Sequence, residues 1–222
     1  MNNSIIKLLR LFIGYFLYGL GIVLTVNANQ GLAPWSVFHQ GLSNQLGITM
    51  GVATQVVGLV ILVLDFIFGE RLGWGTVGNV IFIGTFIDLI MLNNWIPIPE
   101  SIVVSYGMML VGLVVMALAT FSYLSAQLGA GPRDGLMIAM TKRMNLSVGW
   151  IRNMIEAVVL VAGYFMGGSV GLGTLVMAVL FGRFIQIVFK LFKFDVRQVR
   201  HRYIDQDFVL LFNKLKNKKS KE

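Results

Sequence analysis

The sequence predicts an all-α membrane protein with about six transmembrane helices, built from two inverted repeats of three helices. Three observations support this fold class: the apolar composition, the placement of Lys and Arg between apolar runs, and an internal duplication. Of 222 residues, 56% are hydrophobic and 13% are charged. The mean hydropathy of +0.78 exceeds what a soluble domain of this size covers with polar surface.

Six apolar runs are long enough to cross a bilayer, since one spanning helix needs about 20 mostly apolar residues. Clusters of Gly, Pro and Asn separate them. The first run follows Lys7 and Arg10, as in a signal peptide, but it is too long and no small-residue cleavage site follows, so we interpret it as a retained span. The predicted spans are 5–26, 51–68, 75–92, 102–124, 149–166 and 173–189.

The positive charges predict the orientation, because cytosolic loops of membrane proteins are enriched in Lys and Arg. Three connections lack both residue types: 27–50, 93–101 and 167–172. The alternate segments contain Lys7, Arg10, Arg71, Arg133, Lys142 and Arg143. Both termini are therefore predicted to be cytosolic, in a protein of the plasma membrane.

The net charge of +8 belongs mainly to the C-terminal tail, where ten of the eighteen Lys and Arg lie between Lys190 and Lys221. A basic tail beside a span favours anionic lipid headgroups over nucleic acid. Apolar residues at helical spacing make residues 191–222 a predicted amphipathic cytosolic segment. Docking under the helix bundle, or onto a partner protein, fits the same pattern.

The duplication appears at a shift of 98 positions, which places Pro34 on Pro132 without a gap. It divides the chain into a first repeat, 1–98, and a second repeat, 99–190. Because each repeat holds three spans, an odd number, the second copy must enter the membrane inverted, an arrangement common in secondary transporters. The glycine pairs that coincide are 14 and 112, 31 and 129, 51 and 149, 69 and 167, 73 and 171, 75 and 173, and 84 and 182.

Each repeat also contains a segment too long for a tight turn and too short to span, 31–46 and 129–144. Pro34 and Pro132 suit the first turn of a helix, where the missing N–H is not needed. We predict a loop followed by a short proline-led half-helix in each repeat, re-entrant or interfacial.

The motifs resemble those of the YczE-like bacterial membrane proteins, which are grouped with the YitT-like proteins. The resemblance covers about residues 5–190, and its most specific part is the run from Gly129 to Gly135, Gly-Ala-Gly-Pro-Arg-Asp-Gly. The run from Gly31 to His39 and the Gly-x-Gly-Thr motifs at 73–76 and 171–174 also contribute. The resemblance implies a multi-span fold and a plasma-membrane location, and it implies no substrate.

Charged residues within spans are functional candidates, because a charge in the bilayer must be paired or hydrated. Arg152 and Glu156 are four residues apart on one helical face, so they either line a polar cavity or form a structural pair. Asp88 and Arg183 occupy nearly equivalent places in the two repeats. They either meet at the centre or lie separately near opposite interfaces.

The first turns of the half-helices contain Ser36 in one repeat and Arg133 with Asp134 in the other. Ser36 and Asp134 suit helix capping. The same helix ends could instead present N–H groups and Arg133 to an anionic or polar ligand. The predicted substrate-binding residues, facing one central cavity, are Ser36, Asp88, Arg133, Asp134, Glu156 and Arg183.

No sequence pattern points to catalysis or to a cofactor. The chain lacks cysteine, and no region combines Ser, His and an acid or pairs two carboxylates. His39 has no neighbour at metal-ligand spacing, so a metal role is not expected. We therefore predict a secondary transporter of a small polar or anionic solute rather than an enzyme. The alternatives are an accessory or scaffold membrane protein and the substrate-binding subunit of an energy-coupled importer.

Overall fold

The computed structural model describes residues 3–144, 146–195, 198–199, 201–207 and 209. Eight helices of 13 residues or more contain most of this part of the chain, and it has no β-strand. Their bounds are α1 Asn3–Asn27, α2 Pro34–Leu46, α3 Met50–Ile67, α4 Trp74–Leu92, α5 Ile102–Ser125, α6 Pro132–Met144, α7 Val148–Phe165 and α8 Leu172–Leu191.

Six of these helices, all except α2 and α6, are long and apolar enough to cross a membrane. They coincide with the six predicted spans to within a few residues at each end. The protein is therefore a multi-pass membrane protein, as predicted. With 13 residues each, α2 and α6 are about 20 Å long and cannot cross the hydrocarbon core.

Local chemistry explains where the helices begin and end. The two half-helices start at Pro34 and Pro132, as predicted. Thr49 caps α3 by accepting a hydrogen bond from the Val52 N–H. Ser147, which is equivalent to Thr49 under the 98-residue shift, caps α7 in the same way.

The centre of the molecule is a close crossing of α1 and α5. A Cβ atom added at Gly14 would lie 3.1 Å from the Ala119 carbonyl oxygen, and one added at Gly112 would lie 3.0 Å from the Gly21 carbonyl oxygen. The order of these contacts shows that α1 and α5 run antiparallel. Around this pair, α4 packs on α1 and α8 on α5, while α2 packs on α7 and α6 on α3.

Contacts between the two halves recur in pairs under the 98-residue shift. The Gly75 N–H donates to the Leu128 carbonyl at 2.7 Å, and the equivalent Gly173 N–H donates to the Gln30 carbonyl at 2.8 Å. Each bond joins the start of a spanning helix to the loop before the half-helix of the other half. Two antiparallel copies that exchange places by one rotation would make such paired contacts.

The contact between α3 and α4 is much closer than the contact between the equivalent helices, α7 and α8. In the α3–α4 seam, around Gly51 and Gly84, a Cβ atom added at Gly51 would overlap the Gly84 carbonyl oxygen. In the α7–α8 seam, around the equivalent Gly149 and Gly182, a Cβ atom added at either glycine meets no described neighbour within 4 Å. The first seam is closed and the second is open.

Candidate functional site

A cavity of about 990 Å³ lies between the two halves. The first turns of both half-helices line it, with Pro34 and Ser36 from α2 and Pro132 and Arg133 from α6. It extends into the open α7–α8 seam, where Gly182 is part of its lining. The cavity therefore brings the N-terminal ends of the two half-helices to one place.

Four of the six predicted site residues line this cavity: Ser36, Arg133, Asp134 and Glu156. Glu156 also accepts a hydrogen bond from Arg152 Nε at 2.9 Å, and Arg152 lines the cavity too. The two interpretations of this pair are therefore not exclusive, since it is both an ion pair within α7 and part of the cavity wall.

Asp88 and Arg183 lie outside the cavity lining. The Asp88 carboxylate accepts hydrogen bonds from the Thr49 hydroxyl at 2.5 Å and the Gly51 N–H at 2.8 Å, so it closes the first turn of α3. Arg183 is on the exposed face of α8 beside the open seam. Asp88 and Arg183 form no ion pair with each other in the described residues, so they lie separately, which was the second of the two alternatives.

Arg133 is half-buried and forms no ion pair within the described part of the chain. Its guanidinium carbon lies 4.6 Å from the centre of the Trp35 ring, a cation–π contact. Its Nη2 lies 3.4 Å from His39 Nε2. A ring and a neutral imidazole thus position this cation, and no carboxylate of the described residues lies within ion-pair distance of it.

His39 is 1% exposed, and its hydrogen bonds identify its tautomer. The Thr54 hydroxyl donates its one proton to the Met50 carbonyl at 2.9 Å. His39 Nδ1, which lies 3.1 Å from the Thr54 oxygen, must therefore carry a proton and donate it. His39 Nε2 then accepts from Arg133. Burial and the Arg133 charge hold the pKa of His39 well below its usual range, which keeps the ring neutral.

Asp134 lies beside Arg133 in the first turn of α6, and its N–H donates to the Gly131 carbonyl at 3.1 Å. Burial raises the pKa of the Asp134 carboxyl above its ordinary value. The charges of Arg152 and Arg133 oppose that rise. The cavity therefore places one acidic and two basic groups close enough to influence one another.

The C-terminal segment covers one end of the cavity. Val199, His201 and Tyr203 are among the lining residues. The Arg202 N–H donates to the Gln127 carbonyl at 2.9 Å, and the Ile204 N–H donates to the Leu72 carbonyl at 2.9 Å. This part of the tail is thus docked on the bundle, between the α3–α4 and α5–α6 loops. Residues 210–222, which carry much of the predicted lipid-binding charge, are outside the described residues.

Comparison with known proteins identifies the family. The model described as "Family of unknown function (DUF6198)" matches residues 5–190. The chain belongs to this family. The resemblance to the YczE-like proteins is confirmed, because the uncharacterized membrane protein YczE of Bacillus subtilis (strain 168) is 34% identical over 175 residues, covering 77% of this chain and 80% of the relative.

Two further relatives of this DUF6198 chain have similar coverage. An uncharacterized protein of Haemophilus influenzae is 32% identical over 168 residues, 76% of each chain. The uncharacterized protein YyaS of Bacillus subtilis is 26% identical over 181 residues, 79% of this chain and 88% of the relative. No solved structure matches the chain.

The predicted site of this DUF6198 protein did not include several polar residues that line the cavity, among them His39, Thr54 and Asp65. A signal for them exists in the duplication. Under the 98-residue shift, their equivalents are Met137, Arg152 and Gly163, so each is a position where the two repeats differ in polarity or charge. Polar residues whose equivalents in the other repeat have a different polarity or charge are not required by the scaffold that the two repeats share.

The hydrogen bonds that His39 makes to Thr54 and Arg133 predict that Thr54→Val lowers the free energy of unfolding more than a matched Thr→Val change elsewhere. Thr54→Val leaves the buried His39 Nδ1–H without an acceptor, which costs about 1–3 kcal/mol beyond the loss of an ordinary hydrogen bond. Thr25→Val is the matched control, since Thr25 is also buried and donates only to the Ile22 carbonyl at 2.8 Å. Unfolding free energies in mixed detergent micelles measure both. Equal losses in the two variants would contradict the assigned His39 tautomer.

Proposed function

We propose that this protein is a small secondary transporter of the plasma membrane, with both termini cytosolic, and that it carries a small anion bearing a carboxylate or a phosphate. We further propose that its two halves are inverted repeats that exchange conformations during transport. The observation that supports this proposal most directly is the difference between the closed α3–α4 seam and the open α7–α8 seam.

The glycines of the open seam support a second conformation. Gly51 and Gly84 are needed in the closed α3–α4 seam, because a side chain at either position would collide with the other helix. In the open α7–α8 seam, nothing described occupies the space of a side chain at Gly149 or Gly182. Glycine at these two positions is explained if the α7–α8 seam closes in another state as the α3–α4 seam does in this one.

Such an exchange would give the cavity alternating access. In the described state the cavity reaches into the α7–α8 seam, whose Gly149 lies at the predicted cytosolic end of α7. The segment around His201 and Tyr203 lines the cavity on the same side, since it is bonded to the α3–α4 and α5–α6 loops. Closing the α7–α8 seam and opening the α3–α4 seam would move the opening to the opposite repeat. In inverted-repeat transporters, alternation of this kind occurs around a fixed site between the repeats.

The character of the solute follows from Arg133. The guanidinium lines the cavity, and the groups in direct contact with it are the neutral Trp35 ring and His39 imidazole, with no carboxylate within ion-pair distance among the described residues. The N-terminal turns of α2 and α6 add N–H groups and the positive ends of two helix dipoles. A carboxylate or phosphate is the group that a planar guanidinium binds best, through two parallel hydrogen bonds.

The first test is binding. The purified chain is heated with inorganic phosphate, sulfate and a series of mono- and dicarboxylates, and at least one anion is expected to stabilise it, by about 2.7 kcal/mol at 100 times its dissociation constant. Arg133→Gln should weaken that anion by about 10-fold to 100-fold, the worth of a charged hydrogen bond. Arg143→Gln should leave it unchanged, because Arg143 lies on the same helix over the Phe68 ring at 4.3 Å but outside the cavity lining. Stabilisation by no anion would favour the scaffold interpretation.

The second test is transport of the stabilising anion into proteoliposomes. Gly182→Val should leave the unfolding free energy within about 0.5 kcal/mol, since the position is open in the described state. It should abolish uptake, because the closed α7–α8 seam would have no room for the side chain. Gly84→Val is the converse control, expected to destabilise the protein by about 1–3 kcal/mol through overpacking. Full uptake by Gly182→Val would argue against exchange of the seams.

A further inference from the structure

Asp65 is a buried carboxyl group that the proposed anion site does not use. It lies in the last turn of α3, is 1% exposed and is among the residues that line the cavity. Its Oδ1 has no hydrogen-bond partner within the described residues. A buried polar atom of this kind calls for an explanation, because most buried polar atoms in folded proteins are hydrogen-bonded.

The packing around Asp65 provides space and no counter-ion. A Cβ atom added at Gly135 of α6 would lie 2.5 Å from Asp65 Oδ2, so the glycine makes room for the carboxyl group. Lys142, on the same helix, bonds instead to Glu70 at 2.6 Å. Among the described Lys, Arg and His side chains, none forms an ion pair with Asp65 within 4.0 Å.

Two acidic residues lie near Asp65. The Glu70 N–H donates to the Asp65 carbonyl at 2.9 Å, and Asp134 precedes Gly135, which faces the Asp65 carboxyl group. Their negative charges disfavour a negative charge at Asp65.

The titratable and charged groups of the elements packed against α3 include His39 from α2, which is bonded to Thr54, and Asp88 from α4, at the far end against Gly51. Helix α6 carries Arg133 against Trp35 and His39, Asp134, Lys142 paired with Glu70, and Arg143 over the Phe68 ring. The loop after α3 carries Glu70 and Arg71, which is paired with Asp205.

The duplication shows that the fold does not require a carboxyl group here. The equivalent of Asp65 is Gly163, and a Cβ atom added there would lie 2.5 Å from the backbone nitrogen of Phe38 in α2. The α2–α7 contact is therefore built around a glycine, whereas the equivalent α3–α6 contact holds a carboxyl group. A charged residue kept within a spanning helix without a packing role points to function.

We propose that Asp65 is a proton-binding site that couples movement of the solute to movement of a proton. Protonation would make the carboxyl neutral, which suits a buried group with no counter-ion within ion-pair distance among the described residues. Binding forms one O–H bond at the carboxylate, consumes one proton and cancels one negative charge, so that no buried counter-ion is needed. Release of the proton requires hydration of the carboxylate, which is 1% exposed in the described state, and the proposed exchange of the seams would supply that hydration. The coupling rests on the proposed function, but the protonation itself does not.

A proton fits this site better than a metal cation. Hard cations such as Ca²⁺ take six or more oxygen ligands, as a rule. The part of the chain that the structure describes contains no group of three or more His, Asp or Glu that could hold a metal ion. One carboxyl group in an apolar setting is sufficient for a proton.

Infrared spectroscopy of the full chain in lipid nanodiscs tests the protonation without any solute. The C=O stretch of a protonated carboxyl should be present at pH 7, shift in D2O and be lost in Asp65→Asn. Asp205→Asn is the matched control, since Asp205 is exposed and paired with Arg71, and it should retain the band. An Asp65→Asn spectrum with the band unchanged would overturn the proposal, whatever the result of the anion tests.

Two further experiments, isotope labelling and cation replacement, test the assignment of the band. If Asp65→Asn does not fold, the unmodified chain and Asp134→Asn are prepared with 13C-labelled aspartate. The band should shift with the label in both, and its absence from Asp134→Asn would assign it to Asp134 and overturn the proposal. Replacement of choline by Na⁺ should leave the band unchanged. Its loss in Na⁺ would identify a sodium site and contradict proton binding.

Discussion

The backbone of the two loops that precede the half-helices constrains the rest of the structure. Inside a bilayer, polar backbone groups that leave a helix must bond to protein or water, because lipid offers no partner. The carbonyls of Gln30 and Leu128, just before the half-helices, are bonded to the N–H groups of Gly173 and Gly75 in the opposite half. Positive φ angles of 100° at Gly31 and 132° at Gly129 turn the chain there. Each half therefore holds the half-helix of the other, which brings the two N-terminal turns to one cavity.

The two halves are alike at these backbone bonds and differ at the α3–α4 and α7–α8 seams. The paired backbone bonds are the same length to within 0.1 Å in the two halves, at 2.7 and 2.8 Å. The seams, by contrast, differ completely, with Gly51 against Gly84 in one half and Gly149 apart from Gly182 in the other. A scaffold that is equal at its centre and unequal at its periphery is suited to two interchangeable states. If the seams exchange as proposed, residues that differ between the repeats, including His39 and Asp65, would make the two states chemically different.

The sequence alone predicted the features that depend on composition and chain-local chemistry. Apolar length located the six spans, and Pro34 and Pro132 located the starts of the half-helices. It could not assign helix faces. Asp88 was expected in the cavity, yet it closes the first turn of α3 through Thr49, since a carboxylate four residues from a helix end suits either role. The role of His39 was hidden because its partners Thr54 and Arg133 are 15 and 94 residues away along the chain. The positions at which the two repeats carry residues of different polarity or charge would have pointed to His39, but they were not used in the prediction.

Cysteine cross-linking across the two seams tests the exchange most directly, and the chain has no cysteine to interfere. Gln55 bonds to Thr85 at 3.0 Å across the closed seam, and the equivalent pair across the open seam is Asn153 and Arg183. Oxidation should form a disulfide in Gln55→Cys with Thr85→Cys at once. It should also form one, more slowly, in Asn153→Cys with Arg183→Cys, as molecules visit the second state, while single-cysteine variants form none. A rapid disulfide at the first pair with none at the second after long oxidation would contradict the account.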